Sequence, residues 1–254
     1  MGRILLALVL AGGAFGQAGG PAFDVASVKL QPWTGQQGCA GCIQVRGNTL
    51  TAEHVDLYSL IWYAYGLRTD GQLSGGPAWA LGSGMLDERT LYQVIAKTGD
   101  PNPPRDQFPL MMQTLLAERF QLKIHHVQKV LPVFHLVVVK GGTKLKENTS
   151  DDKMSMAMSG AKVLRIVAKH APLTNLVGQL SVAANRPVID KTGLTGFYDF
   201  ELRWTPGALD ASATDAPGDS IFTALQDQLG LKLEATTAPF DTVVIDHAEK
   251  PSEN

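Results

Sequence analysis

The chain has 254 residues, of which 44% are hydrophobic and 18% are charged, and its formal net charge is −2. This composition is that of a globular protein and excludes a largely disordered one. Lysine and arginine are scattered along the chain, so they form no clustered basic face, and we expect no nucleic-acid partner.

Residues 1–16 have the pattern of a secretory signal peptide. Arg3 gives a positive start, residues 4–11 form a short apolar run, and Ala14-Phe15-Gly16 is a small-x-small cleavage site. The run is about half of the ~20 apolar residues that a membrane span needs. We therefore expect an exported protein, periplasmic or secreted, with no stable membrane span after cleavage. Retention of this segment as an anchor is the alternative.

Four short amphipathic helices are predicted by an apolar spacing close to 3.6 residues. Asp56 caps the first and Asp219 or Ser220 the fourth, while the second and third begin near Pro109 and Pro172. The apolar residues expected to face the core are Leu57, Leu60, Ile61 and Ala64, then Met111, Met112, Leu115 and Leu116, then Leu173, Leu176, Val177 and Leu180, and finally Ile221, Phe222, Leu225 and Leu229.

Alternating apolar and polar residues predict strands between these helices. The predicted strands are residues 23–29, 43–45, 49–51, 92–96, 122–125, 133–139, 163–167, 188–190, 197–204, 231–233 and 242–246. The resulting order is β-α-β-β-α-β-β, used twice. This favours an α+β fold of two similar lobes, each with short helices packed on a mainly antiparallel sheet.

Two local similarities indicate an internal repeat. Residues 116–124 resemble residues 225–233, and residues 57–61 resemble residues 173–177. The polar segment 141–160 has the composition of a solvated linker. We therefore expect a signal peptide at 1–16, an N-terminal lobe at 17–140, a linker at 141–160 and a C-terminal lobe at 161–254.

Cys39 and Cys42 are the two cysteines of the chain. In an oxidising compartment two thiols this close are expected to pair, and the pair would staple a loop rich in glycine and glutamine. A redox-active dithiol is the alternative, although that chemistry favours a first cysteine at a helix N-terminus. Covalent haem attachment requires histidine where Ile43 stands, and zinc would require two further ligands.

The six histidines carry no metal-binding pattern. No His-Glu-x-x-His motif places two imidazoles on one helical face. His125 and His126 are adjacent near a strand end, so their side chains point to opposite faces. His125 and His135 could meet across a hairpin, but without a fixed carboxylate we predict no metal site. The glycines match no phosphate-binding loop, and we expect no cofactor.

Two aspartates follow apolar strands and are the acids to consider for catalysis. Asp190 and Asp246 each end such a segment, and His247 follows the second. If they converged, they could act as general acid and base in a hydrolase of cell-wall or extracellular polymer. Asp190 also opens the turn Lys191-Thr192-Gly193, and an aspartate there is ordinary turn chemistry. We predict no catalytic residue.

Five segments together resemble a known family. They are FDVASVK at 23–29, SGGPAW at 74–79, LLAERF at 115–120, RPVIDKTGLTGFYDF at 186–200 and VIDHAEKP at 244–251. The set resembles the soil-associated family of uncharacterised exported proteins that is expanded in acidobacteria. That family implies export and a two-part layout, and it carries no assigned activity. Related domains occur behind membrane metallopeptidases of the antibiotic-sensing type.

By this analogy the sequence favours a non-enzymatic extracytoplasmic binding, sensing or interaction module. Its partner would be an envelope or extracellular protein or ligand, bound at an exposed sheet edge or in a cleft between the halves. The alternatives are the hydrolase that uses Asp190, Asp246 and His247, and a thiol redox protein that uses Cys39 and Cys42.

Overall fold

A computed structural model describes residues 20–33, 42–80, 90–206 and 219–252. The expected signal peptide lies outside the described residues. The strands are β1 (Val25–Leu30), β2 (Cys42–Arg46), β3 (Thr49–Val55), β4 (Leu73–Gly75), β5 (Tyr92–Lys97), β6 (Lys123–Val138), β7 (Lys146–Glu147), β8 (Ser155–Ser159), β9 (Leu164–Pro172), β10 (Val188–Asp190), β11 (Phe197–Trp204) and β12 (Leu231–His247). The α-helices are α1 (Leu57–Tyr65), α2 (Gln107–Arg119), α3 (Leu173–Ala183) and α4 (Ile221–Ala224).

The first three helices form where the apolar spacing predicts them. The Asp56 carboxylate accepts a hydrogen bond from the backbone N–H of Ser59 at 2.8 Å, which caps α1 as expected. Helix α2 begins two residues before Pro109, at Gln107. The residues buried on these helices are Leu57, Leu60, Ile61 and Ala64 on α1, Phe108, Met111, Met112, Leu115 and Leu116 on α2, and Leu173, Leu176, Leu180 and Ser181 on α3.

The fourth helix is regular over only one turn. Ser220, rather than Asp219, caps it by accepting a hydrogen bond from the backbone N–H of Thr223 at 3.2 Å. The chain continues as a π-helical turn, Leu225–Leu229, and ends at Gly230 with a left-handed φ of 65°. Glycine adopts that conformation without a Cβ clash, so it stops the helix just before β12.

Three four-stranded sheets have the orders β1-β5-β3-β2, β10-β6-β12-β4 and β7-β11-β9-β8. We call them sheets A, B and C. Sheets A and C are antiparallel throughout, and in sheet B the long strands β6 and β12 are antiparallel to each other. Only the short strands β10 and β4 run parallel to their neighbours. The fold is therefore α+β with mainly antiparallel sheets, as the sequence predicts.

The strand prediction was wrong for the two long strands of sheet B, because each was predicted as two separate strands. Residues 122–125 and 133–139 were expected as separate strands, as were 231–233 and 242–246, yet β6 and β12 are continuous. Pro132 pairs with Thr237 and Pro239 with Val130 in the middle of this ribbon. There β6 and β12 pair only with each other among the described residues, so a proline that lacks an N–H is tolerated at the open edge.

The described residues form two compact units. One lies within Met1–Tyr65, Gly84–Gln121 and Lys250–Asn254, and the other within Gly66–Ser83 and Leu122–Glu249. The bounds of these two units differ from those of the predicted lobes, 17–140 and 161–254. Segment 141–160, expected as a linker, contains β7 and β8, which are the two edge strands of sheet C.

Each unit has its own apolar core. In the first, the buried rings of Tyr92 and Phe120 meet edge to face with centroids 5.1 Å apart. In the second, Ile166 and Leu202 of sheet C are buried with Leu176 of α3. Burial of such side chains is the main stabilising term in a fold of this kind. No helix among the described residues is long and apolar enough to cross a bilayer.

The order of elements is the same in two halves of the chain. From β1 to β6 it is β-β-β-α-β-β-α-β, and from β7 to β12 it is again β-β-β-α-β-β-α-β. Sheet A and sheet C also match strand for strand, since β1, β5, β3 and β2 hold the positions of β7, β11, β9 and β8. The internal repeat remains a prediction, and this shared order supports it.

Candidate functional site

Asp190 lies at the end of β10 and caps a turn. Its Oδ1 accepts hydrogen bonds from the backbone N–H of Thr192 at 2.8 Å and from the Thr192 hydroxyl at 2.7 Å. A carboxylate that binds the chain two residues onward is a common device of turns. The turn interpretation therefore accounts for Asp190 without a catalytic role.

Asp246 and His247 pair with different partners on the surface. Asp246 meets Nδ1 of His125 at 2.8 Å, and both side chains are about half exposed (45% and 52%). Nε2 of His247 lies 2.9 Å from a carboxylate oxygen of Glu249. Exposed pairs of this kind contribute little to stability because water screens them.

The distance between Asp190 and Asp246 excludes the hydrolase that would use both. Asp190 pairs with Leu136 of β6, whereas Asp246 follows Ile245, which pairs with Ile124 of the same strand. Twelve positions of β6 separate these two partners, or roughly 40 Å at about 3.4 Å per residue. General acid–base catalysis requires the two groups to reach one substrate atom, so Asp190 and Asp246 do not act as one acid–base pair. A hydrolase that uses Asp246 with His247 stays a prediction.

The remaining histidines of β6 do not converge either. His126 pairs with Asp241 at 2.6 Å, while its neighbour His125 pairs with Asp246. His125 and His135 lie on the same continuous strand, so they cannot meet across a hairpin as considered above. In the part of the chain that the structure describes, no group of three or more His, Cys, Asp or Glu side chains could hold a metal ion.

The cysteine pair falls partly outside the described residues. Cys42 is the first residue of β2, and Cys39 lies in the stretch 34–41 that the structure does not describe. The disulfide, and with it the redox alternative, stays a prediction. Cys42 also lines a depression of about 310 Å³ on sheet A, together with Gln44, Arg46, Thr51 and Glu53.

Two histidines that the sequence did not single out occupy equivalent β-bulges. Between β3 and β5 the register shifts at His54, and between β9 and β11 it shifts at His170. Both residues have a left-handed backbone, with φ of 49° and 46°. Each stands three positions before a helix, since α1 begins at Leu57 and α3 at Leu173. A left-handed non-glycine residue is uncommon, and its presence at the same place in both halves indicates a constrained site.

Each bulge is closed by a side chain that accepts the histidine backbone N–H. Gln31 Oε1 accepts it from His54 at 2.9 Å, and Asp199 Oδ1 accepts it from His170 at 2.8 Å. The first acceptor is a neutral amide and the second a carboxylate. The hydrogen bond to Asp199 is therefore charge-assisted, and bonds of this type are stronger than those between neutral groups.

An aromatic ring covers each imidazole. Trp33 meets His54 edge to face with centroids 5.1 Å apart, and Phe197 stacks on His170 at 4.3 Å with an interplanar angle of 7°. Nδ1 of both imidazoles is buried and has no hydrogen-bond partner among the described residues. A buried polar atom without a partner is costly, so both sites hold their imidazoles against a penalty.

A cleft of about 480 Å³ opens beside His170. Its described lining consists of the polar segment that follows β7 and of the residues around the bulge, namely Glu147, Asn148, Thr149, Ser150, Asp151, Asp152, His170, Gly196 and Phe197. Three of these carry carboxylates, and none is lysine or arginine. We call it the His170 cleft. Its size falls in the range of small-ligand sites.

Asp199 and Asn148 hold the wall of the His170 cleft in place. Asn148 donates its amide N–H to Asp199 Oδ1 at 2.8 Å, and its own Oδ1 accepts the Ser150 hydroxyl at 2.6 Å and backbone N–H at 2.9 Å. The hydrogen bond from Asn148, with that from the backbone of His170, lowers the pKa of the Asp199 carboxyl below its usual value. Asp199 is thus an ionised acceptor that links the bulge to segment 147–152.

A sequence signal for the histidine pair did exist. The similarity between residues 57–61 and 173–177 extends backward by three positions to His54 and His170. Their left-handed backbone could not be read from it, because the bulges form only when β3 and β9 pair with strands farther along the chain. Segment 147–152 carried no periodic signal, so it was assigned to a linker.

Comparison with known proteins assigns the chain to a family but gives it no activity. Residues 58–248 match a family model described as "Protein of unknown function (DUF3738)". No curated protein and no solved structure matches the chain. The match spans most of the 254 residues and includes β5 of sheet A, the whole of sheet C and the whole His170 cleft. The chain therefore belongs to this DUF3738 family of proteins of unknown function.

Proposed function

We propose that the protein is an exported, non-enzymatic binding module, and that the His170 cleft binds a lysine- or arginine-bearing peptide segment of an envelope or extracellular partner. The observation that carries the proposal is the composition of the cleft wall. Glu147, Asp151 and Asp152 supply carboxylates, and no cation lines the described wall. A concave surface of one charge sign attracts a ligand of the other.

Phe197 adds an apolar platform to this acidic wall. Its side chain is 45% exposed although its ring stacks on His170 at 4.3 Å. A partly exposed aromatic ring near carboxylates suits the cationic head and apolar stem of lysine or arginine, because the ring face attracts a cation and covers methylene groups. A neutral apolar ligand would leave the three carboxylates without a partner.

The wall is organised before any ligand arrives. Asn148 donates its backbone N–H to the carbonyl of Phe197 at 2.8 Å and its side-chain N–H to Asp199 at 2.8 Å. The Ser150 hydroxyl accepts the backbone N–H of Asp152 at 3.3 Å. A preformed wall loses less conformational freedom on binding, and this favours affinity for a short peptide.

Export and the sensing role rest on the sequence. Arg3, the apolar run 4–11 and the small-x-small site at 14–16 support secretion. The resemblance to soil-associated exported proteins and to domains behind antibiotic-sensing metallopeptidases supports a role in recognition outside the cytoplasm. The separation of Asp190 from Asp246 along β6 disfavours a hydrolase that would use both aspartates.

The test is an NMR titration of the purified protein with acetyl-tetralysine amide, and with acetyl-tetraglutamate amide as the opposite charge. We expect the lysine peptide to shift the backbone amides of residues 147–152 and 196–197, and the glutamate peptide to shift none of them. The variant Glu147→Gln/Asp151→Asn should weaken binding at least tenfold, since it removes two of three carboxylates from the cleft.

The matched control is Glu118→Gln/Asp227→Asn, which removes one glutamate and one aspartate from exposed positions outside the cleft. It should leave the affinity within about twofold, because neither residue lines the cleft and salt weakens the interactions of exposed charges. Equal weakening by both double variants, or shifts spread over the whole surface, would reduce the effect to unspecific charge attraction and refute the proposal.

A further inference from the structure

Strand β8 is an unprotected edge of sheet C. It pairs with β9 on one side, and sheet C has no further strand beyond it among the described residues. Its five residues, Ser155–Ser159, include no charged residue and no proline, and four of them are exposed. Natural edge strands are commonly guarded by charge, proline or a bulge, because open N–H and C=O groups pair readily with another strand.

The sequence of β8 reads the same in both directions, Ser-Met-Ala-Met-Ser, with Ala157 at its centre. An antiparallel partner with this sequence would set each serine opposite a serine and Met156 opposite Met158. Such a pair has a two-fold axis through Ala157, and one surface patch then serves both partners. We propose that the occupant of this edge is a second copy of the same chain, paired β8 to β8.

Exposed methionine side chains on and beside β8 favour contact with a partner strand, because the contact would remove their apolar surface from water. Met158 is 57% exposed and Met154 is 52% exposed, while Met156 between them packs against the core of the second unit. In the proposed register Met158 of each copy lies opposite Met156 of the other, so the apolar face of sheet C continues across the axis. Flexible methionine side chains adapt well to such a contact.

The contact is small, so the dimer should depend on concentration. A five-residue strand pair with its methionines falls below the roughly 1,200 Å² at which specific interfaces commonly begin. We therefore expect reversible association, seen as a rise in average mass in sedimentation equilibrium as the protein concentration increases. Met158→Lys should weaken the association at least tenfold, because it places a cation in the apolar contact of both copies. Far-UV circular dichroism of this variant should match that of the wild type.

Symmetric cross-linking gives the decisive measurement. In this register Ala157 alone faces itself, so Ala157→Cys should form an intermolecular disulfide under mild oxidation and run as a covalent dimer. Ser159→Cys is the matched control on the same strand. Its two copies would stand roughly 14 Å apart along the strands at about 3.4 Å per residue, beyond the ~7 Å Cα separation that a disulfide allows.

Cross-linking of Ala157→Cys without Ser159→Cys supports the pairing. Equal cross-linking of both variants, or a monomeric wild type over the whole concentration range, would overturn it. The outcome is independent of the peptide-binding proposal, because the cleft variants leave the strand β8 unchanged. A dimer whose cleft variants bind peptide normally would therefore refute only the cleft.

Discussion

Sheet A and sheet C share a strand order and a bulge but differ in what surrounds the bulge. In sheet A the backbone N–H of His54 is held by the neutral amide of Gln31, under the edge of Trp33. In sheet C the backbone N–H of His170 is held by the carboxylate of Asp199, under the face of Phe197. The backbone arrangement is common to both halves, whereas the chemistry of the acceptor is not.

The edge strands differ as well. β1 has six residues and pairs with β5 over its whole length, while β7, at the same place in sheet C, has two. The chain that leaves β7 is thus free to form segment 147–152, which lines the His170 cleft. A shortened edge strand and an acidic acceptor are thus the two differences that accompany the His170 cleft, so the second half carries the candidate site.

The largest expected effect tests whether the two halves contribute equally to stability. Leu60 of α1 and Leu176 of α3 hold matching positions, and both are fully buried. We expect Leu60→Ala and Leu176→Ala each to lower the free energy of unfolding by about 2–5 kcal/mol, through lost burial and the cavity left behind. Urea unfolding followed by circular dichroism measures this loss.

Leu110→Ala serves as the control for these core variants, since Leu110 lies on α2 but is 45% exposed. Its effect should stay within about 0.5 kcal/mol. A large loss from Leu60→Ala with almost none from Leu176→Ala would show that the matching helices do not support their sheets in the same way.

The next effect concerns the bulges. His54→Val and His170→Val should each destabilise the fold by about 1–3 kcal/mol more than the matching asparagine variants, because a β-branched residue is strained at positive φ and asparagine tolerates it. Thermal unfolding of the four variants gives the comparison. His135→Val lies in the regular strand β6, where valine is favoured, and should show no such penalty. A penalty at His170 alone would mean that the two bulges are not equivalent.

The features that sequence predicted are those set by nearby residues. The buried face of α1 and its Asp56 cap follow from apolar spacing and from a hydrogen bond three residues away. The positions of the first three helices followed from the same local patterns, whereas the short strands β4, β7 and β8 were not predicted. These signals survive because tertiary contacts add to them and do not reverse them.

What escaped prediction depends on distant parts of the chain. Segment 147–152 is polar and aperiodic, and it is ordered by Asp199, some fifty residues later. Strands β6 and β12 were each expected as two pieces, yet they continue through Pro132 and Pro239, where each pairs only with the other among the described residues. The left-handed conformation of His170 likewise requires β11 beside β9. Pairing between remote strands cannot be read from spacing alone.

The smallest expected effect is a difference in how stability depends on pH between the two acceptors, Asp199 and Gln31. Because hydrogen bonds lower the pKa of Asp199 in the folded protein, its stabilising contribution is complete above the unfolded value of about 4 and is lost as pH falls through the folded pKa. The stability difference between wild type and Asp199→Asn should therefore be constant from pH 7 to about 5 and shrink below pH 4. Urea midpoints measured across this range provide the test.

Gln31→Ala is the counterpart in the first half, and its difference from wild type should not change over the same range, since the Gln31 amide does not titrate. Glu201, whose pKa is lowered to about 2 by Arg165 and Arg203, titrates in every one of these proteins and cancels from the differences. A pH-independent difference for Asp199→Asn would mean that the carboxylate acts only as a hydrogen-bond acceptor of fixed strength. In that case the charge of Asp199 would not distinguish the bulge of sheet C from that of sheet A.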